Sequence, residues 1–136
     1  MKKVLFIAAA VSIILSACKS NTGEQKAVQD DIYKIHEKVM DKEDALMRNK
    51  MKIDTLLKQN PQPDVKTTAT TVSAKLVQAD DAMSNWMQKF NPDYKGKNGE
   101  ESLNYFKEQR AEVIRIDSQM NAAISESDKF LSQIKK

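Results

Sequence analysis

The chain has 136 residues, a length that suits one domain. Its 22 basic and 19 acidic side chains give a formal charge of +3 and are interleaved along the chain, so no basic stripe stands ready to neutralise phosphates and nucleic acid is a poor partner class. Glycine and proline number three each, against many Lys, Glu, Gln, Ala and Met, a balance that favours helices over strands.

Met1-Lys2-Lys3 opens with positive charge, and an apolar run from Val4 to Leu15 follows, broken by Ser12. That is short for a membrane span, which takes roughly 20 apolar residues, and suits a secretory leader. The small pair Ser16-Ala17 then leads directly into Cys18, the single cysteine. Leu15-Ser16-Ala17-Cys18 resembles the lipobox of bacterial lipoproteins. The resemblance implies cleavage before Cys18, a diacylglyceryl group on its sulfur and an acylated amino terminus, with fatty chains such as palmitate holding the protein to membrane lipid. Two or more chains on one residue anchor stably where one binds only marginally. A lone cysteine has no intrachain disulfide partner, which fits an acylated thiol in an oxidising compartment.

With residues 1–17 as signal peptide, 18–25 read as the acylated cysteine and a flexible polar tether, and 26–136 as the folded part. Losing Lys2 and Lys3 leaves 20 of the 22 basic side chains against 19 acidic ones, close to neutral. Thr22 and Gln25 have capping-box spacing, so a first helix is expected over about 25–59. Its stripe is Val28, Ile32, Ile35, Val39, Leu46, Ile53, Leu56 and Leu57, widened by Met40, Met47 and Met51 and weakened at Lys42, Glu43, Asn49 and Lys50. Asn60-Pro61-Gln62-Pro63 ends it, and Asp64 reads as the next N-cap.

The second helix, about 65–90, carries the cleanest pattern. Val65, Ala69, Val72, Leu76, Ala79, Met83, Trp86 and Phe90 alternate steps of four and three, a heptad seam. The threonines at 67, 68, 70 and 71 lower helix propensity, so its first turns are expected to fray. Asn91-Pro92 stops it, and a loop dense in turn residues runs to Gly99. Asn98 and Glu101 repeat the capping spacing, and Glu100-Glu101 suit a helix N-terminus. The third helix, about 100–133, presents Leu103, Phe106, Val113, Ile116, Met120, Ala123, Ile124, Phe130, Leu131 and Ile134, interrupted by Arg110, Asp117 and Ser127. The expected fold is all-α: three long antiparallel helices in an up-down-up, coiled-coil-like bundle. A helical hairpin completed by a second copy is the rival, and the polar interruptions leave self-association open.

Met83, Trp86, Met87 and Phe90 form the densest apolar cluster. They are bundle core or an interaction patch, or both if Trp86 faces inward and Met87 outward. No metal site is expected. The residues that come nearest are His36 with Met40, and Met47 with Met51, pairs four apart whose imidazole and thioethers suit Cu(I). Methionine at helical spacing is more often gap-filling core. Glu37 lies beside His36 and Tyr33 three before it, so the Glu-x-x-His motif of di-metal bundles is absent. No nucleophile elbow, zinc-protease motif or other catalytic signature occurs, so the protein reads as a non-enzyme without cofactor.

Two segments, Ile35-His36-Glu37-Lys38-Val39-Met40-Asp41-Lys42 and Asp81-Ala82-Met83-Ser84-Asn85-Trp86-Met87-Gln88-Lys89-Phe90, resemble small helical lipoproteins of Bacteroidetes-type bacteria, some labelled "viral A-type inclusion protein". The resemblance implies a double-membraned cell and an outer-membrane anchor, and brings no activity with it. Lys19-Ser20-Asn21-Thr22 lack the acidic cluster that would resemble a surface-export signal in that group, which favours the periplasmic face. The function expected is that of a lipid-anchored interaction or scaffold module that binds an envelope protein or its own copies. The alternative is a periplasmic stress protein, holdase-like or binding copper through Met and His.

Overall fold

The computed structural model describes residues 17–134, with side chains from residue 21 onward. The expected leader up to Ser16, and the Cys18 side chain, lie outside that range. Three helices make up the fold: α1, Ala17–Lys58; α2, Pro63–Lys89; and α3, Gly99–Ile134. They pack against one another as an all-α three-helix bundle, and no strand occurs among the described residues. The α1 and α3 helices run in the same direction and α2 runs against both, as short connections at 59–62 and 90–98 require.

One buried stripe per helix builds the core. On α1, Ile32, Val39, Leu46 and Ile53 recur every seven residues and are fully buried. The α2 seam is inside as the spacing predicts, from Ala69 through Val72, Leu76, Ala79 and Met83 to Trp86, with Val65 and Phe90 half-buried at its ends. On α3, Phe106, Val113, Met120 and Ser127 alternate with Ile116, Ala123 and Phe130. Each side chain fills the space left by two neighbouring helices, so no pair of helices can bury all its apolar surface without the third.

The polar interruptions turn out to be partners. Asn49, 5% exposed, donates from Nδ2 to Ser127 Oγ and to Asp128 Oδ1, both at 2.8 Å. The fully buried Ser127 hydroxyl donates in turn to the Ile124 carbonyl at 2.8 Å. Lys42 pairs with Asp117, and Arg110 Nε with Asp31 Oδ2 at 3.0 Å. Side chains expected to hold self-association open are thus consumed within one chain. They lie where parallel helices α1 and α3 face each other, and they fix the register of that pairing.

Four local expectations need correction. The residues from 21 to 25, expected as tether, continue α1, and Glu24 bridges to Lys107 of α3 at 2.6 Å. The Thr22–Gln25 capping box does not form because the helix has already begun by Ala17. The N-cap of α2 is Gln62, not Asp64: Pro63 takes the first helical position, where its fixed φ suits the helix and its missing N–H costs nothing. The threonine-rich start of α2 is helical, with the hydroxyls of Thr67, Thr68, Thr70 and Thr71 each donating to the carbonyl four residues back. Each hydroxyl thus bonds within the helix, to a carbonyl of the preceding turn, and does not draw the backbone into a non-helical turn.

The ends have specific causes. Asn60 closes α1 with φ 52°, the left-handed region that asparagine tolerates better than most residues. Asn98 caps α3 as its spacing predicts, its Oδ1 accepting from the Glu101 N–H at 2.9 Å. Glu101 reaches back to the Lys97 N–H at 2.7 Å, one residue beyond the usual capping-box partner. Gly96 lies so close to α3 that a Cβ there would meet Glu101 Cβ at 2.7 Å and the Ser102 amide at 2.9 Å.

Candidate functional site

The site where chemistry-bearing side chains gather lies between α1 and α2. The sequence sets it up through two pairs four residues apart: His36 and Met40 on α1, Met83 and Met87 on α2. Residues at that spacing share a helix face. Because the helices are antiparallel, the two pairs meet head to tail. His36 Nε2 lies 3.2 Å from Met87 Sδ. Met40, Met83, Met87 and, from α3, Met120 line one narrow cleft of about 10 Å³, with the carboxylates of Glu43 and Asp80 beside them.

The cleft is built in depth. Met83 and Met120 are buried and form its floor. Met40 is half-buried and Met87 is 41% exposed at the mouth, while the half-buried His36 stands outside the lining and touches it through Met87. Met47 and Met51, the other pair singled out from spacing, point to solvent, Met51 at 65% exposure, and do not join the cleft. Spacing alone places two residues on one face without saying which way that face looks. Among the described residues, no group of three His, Cys, Asp or Glu side chains is placed to hold a metal ion. Any ion at this cleft would therefore be held mainly by thioethers.

The apolar cluster on α2 divides. Met83 and Trp86 are core, Phe90 is half-buried, and only Met87 faces outward. Trp86 donates its indole N–H to Gln109 Oε1 of α3 at 3.0 Å, the partner a buried indole needs. Its ring stacks on Phe90 at 4.9 Å and lies 6.0 Å from the His36 ring. Phe90 meets Phe106 and Tyr33 edge-on, and Tyr105 packs edge-on against Phe106 while stacking on Tyr94 at 4.1 Å. This continuous aromatic array closes the end of the bundle that carries the α2–α3 loop. Tyr105 also accepts there from the Asn91 N–H at 2.8 Å.

A second depression, at the foot of α3, is lined by Tyr94, Asn98, Glu101, Tyr105 and Glu108. Loss of hydration first, and then the Glu101 charge, push the Tyr94 hydroxyl above its ordinary value. A third, shallow groove between α1 and α3 has an apolar floor of Val28 and Ile114 spanned by the Glu24–Lys107 and Asp31–Arg110 ion pairs. Neither brings together a nucleophile and a base.

Sequence reasoning missed Met120, Glu43 and Asp80 as members of the cleft. Met120 was visible as an apolar position of the third helix, but its convergence on Met40 and Met87 depends on the register of all three helices. No protein-family model matches the chain, and no curated protein or solved structure matches it significantly. Among the described residues, no helix is long and apolar enough to cross a membrane.

Proposed function

We propose that the protein is a lipid-anchored, non-catalytic module of the bacterial cell envelope, held at the outer membrane on its periplasmic face, which presents a helical bundle to an envelope protein partner or to its own copies. The observation that carries the reading is the placement of Cys18. The single cysteine follows a basic start, an apolar run and the small residues Ser16-Ala17, as a lipobox does. The bundle supports it in two ways. Among the described residues the buried polar side chains find partners within the chain, as suits a self-contained scaffold. Its helices also leave Tyr33, Met47, Met51, Val77, Met87 and Ile114 exposed, and these are the apolar side chains a partner would meet.

Two measurements test the reading. Mass spectrometry of the protein isolated from its native membrane should find an amino terminus at Cys18 carrying diacylglycerol and a further acyl chain; an unmodified terminus would remove the anchor. Photo-crosslinkers placed at Val77 and Ile114 in intact cells should trap a discrete partner or a second copy. A chain that stays monomeric and captures nothing would leave the scaffold role without support.

A further inference from the structure

We propose that His36, Met40, Met83 and Met87 form a binding site for a soft monovalent cation, Cu(I), on the α1–α2 face. Three observations converge. Donors come from two helices, which a single helix cannot supply: His36 meets Met87, and Met87 lines one cleft with Met40 and Met83. The His36 Nε2 to Met87 Sδ separation is 3.2 Å. With zinc's bond lengths of about 2.0 Å to imidazole and 2.3 Å to sulfur as the scale, a nitrogen and a sulfur sharing one ion in tetrahedral geometry lie roughly 3.5 Å apart, so a small adjustment of the exposed Met87 side chain admits an ion of that size. The cleft beside them is about 10 Å³, the scale of a single small sphere.

The donor chemistry decides the ion. Thioether sulfur is soft and selects Cu(I), and imidazole binds copper readily; calcium and magnesium prefer oxygen. Glu43 and Asp80 stand at the same cleft and give it negative charge, which draws in a cation and balances it once bound. Burial of Met83 and Met120 holds the floor rigid, and the exposure of Met87 provides entry. The site is independent of the anchor and of any protein partner.

The test uses the full chain with Cys18→Ser, so that no free thiol competes, labelled with ¹³C at the methionine methyls. Titration with Ag(I), a redox-inert stand-in, and then with Cu(I) buffered by a chromophoric chelator should shift the Met40, Met83 and Met87 methyl resonances at one equivalent. Those of Met47 and Met51 should stay in place. The Met40→Leu, Met87→Leu double variant keeps side-chain volume and should weaken Cu(I) binding at least about tenfold. The Met47→Leu, Met51→Leu variant should bind as the parent does. Shifts confined to Met47 and Met51, no shifts at all, or equal affinity for parent and the Met40/Met87 variant would each overturn the site. A thermal melt checks that the double variant folds. If it does not, the methyl shifts of the parent chain decide alone.

Discussion

Two glycines show how one residue type has opposite value in different places. Gly23 sits inside α1 with nothing within 4 Å of where a Cβ would be. Gly23→Ala should therefore stabilise the bundle by about 0.5–1 kcal/mol through helix propensity. Gly96 is pressed against α3, and its N–H donates to Ser102 Oγ at 2.9 Å. Gly96→Ala must displace the Glu101 stem or the start of α3, and should cost about 1–3 kcal/mol. Urea midpoints of the two variants should move in opposite directions. A harmless Gly96→Ala would mean that the loop yields freely. Asn49 poses a different question at the same scale. Asn49→Ala opens a hole beside Ser127 and should cost about 1–3 kcal/mol. Asn49→Leu refills the hole and leaves Ser127 bonded to Ile124, so its stability should stay within about 1 kcal/mol of the parent. A large loss in Asn49→Leu would show that the amide contributes net stability beyond specifying register.

At the scale of elements, α2 was almost fully legible, because a strict alternation of four and three allows one buried face and no other. The first and third helices were legible only in their apolar positions. Lys42 and Asn49 on one, and Arg110, Asp117 and Ser127 on the other, read as defects along a single helix and become sensible only when the helices lie side by side. The cleft followed the same logic: His36 with Met40 could be paired by spacing, but Met120 could not be assigned to them without the packing. Between α1 and α2, Asp54 makes a related link. Lys50 donates to its Oδ2 at 2.7 Å, and the Ser73 hydroxyl of α2 to its Oδ1 at 3.3 Å. The Lys50 hydrogen bond is the largest influence on the carboxyl; burial, the next, opposes it, and the Lys50 charge, Ser73 and the Lys58 charge add to the first and hold it below its ordinary value of 3.8. A carboxyl whose folded pKa is depressed adds stability that is complete above its unfolded pKa and is lost as pH falls through the folded value. Glu112, lowered by its hydrogen bond from Arg115, acts with the same sign within α3. The melting temperature of the parent should therefore fall on acidification below about pH 4. Asp54→Asn should lie below the parent at neutral pH and converge on it in acid. A gap that persists at about pH 2 would mean that the Asp54 carboxylate is not its source.

For the whole molecule, the decisive feature is that α3 completes the burial of the other two helices. It pairs most extensively with α1 and also packs along α2. It supplies Phe106, Val113, Ile116, Met120 and Phe130 to the shared core. It also holds the far end of most of the polar links: Ser127 for Asn49, Asp117 for Lys42, Arg110 for Asp31, Lys107 for Glu24, and Glu126 for Lys75 of α2 at 2.7 Å. Individually, the ion pairs among these links contribute about 0–1 kcal/mol, so their joint effect lies in fixing alignment more than in strength. The hydrophobic term is larger. Without α3, the stripe of α1 keeps only the part of its cover that α2 provides, and Trp86 loses both its Gln109 partner and the Phe106 side of its aromatic array. Helices in proteins gain most of their stability from such packing and are marginal without it, so a chain ending at Asn98 should lose the greater part of its helicity at 25 °C. The intact bundle should unfold in one cooperative transition, as small single-core domains do. Far-UV circular dichroism of the two chains distinguishes the cases. A truncated chain that kept its helix signal and melted cooperatively would mean that the α1–α2 hairpin is an autonomous unit and that α3 is an addition to it rather than the keystone.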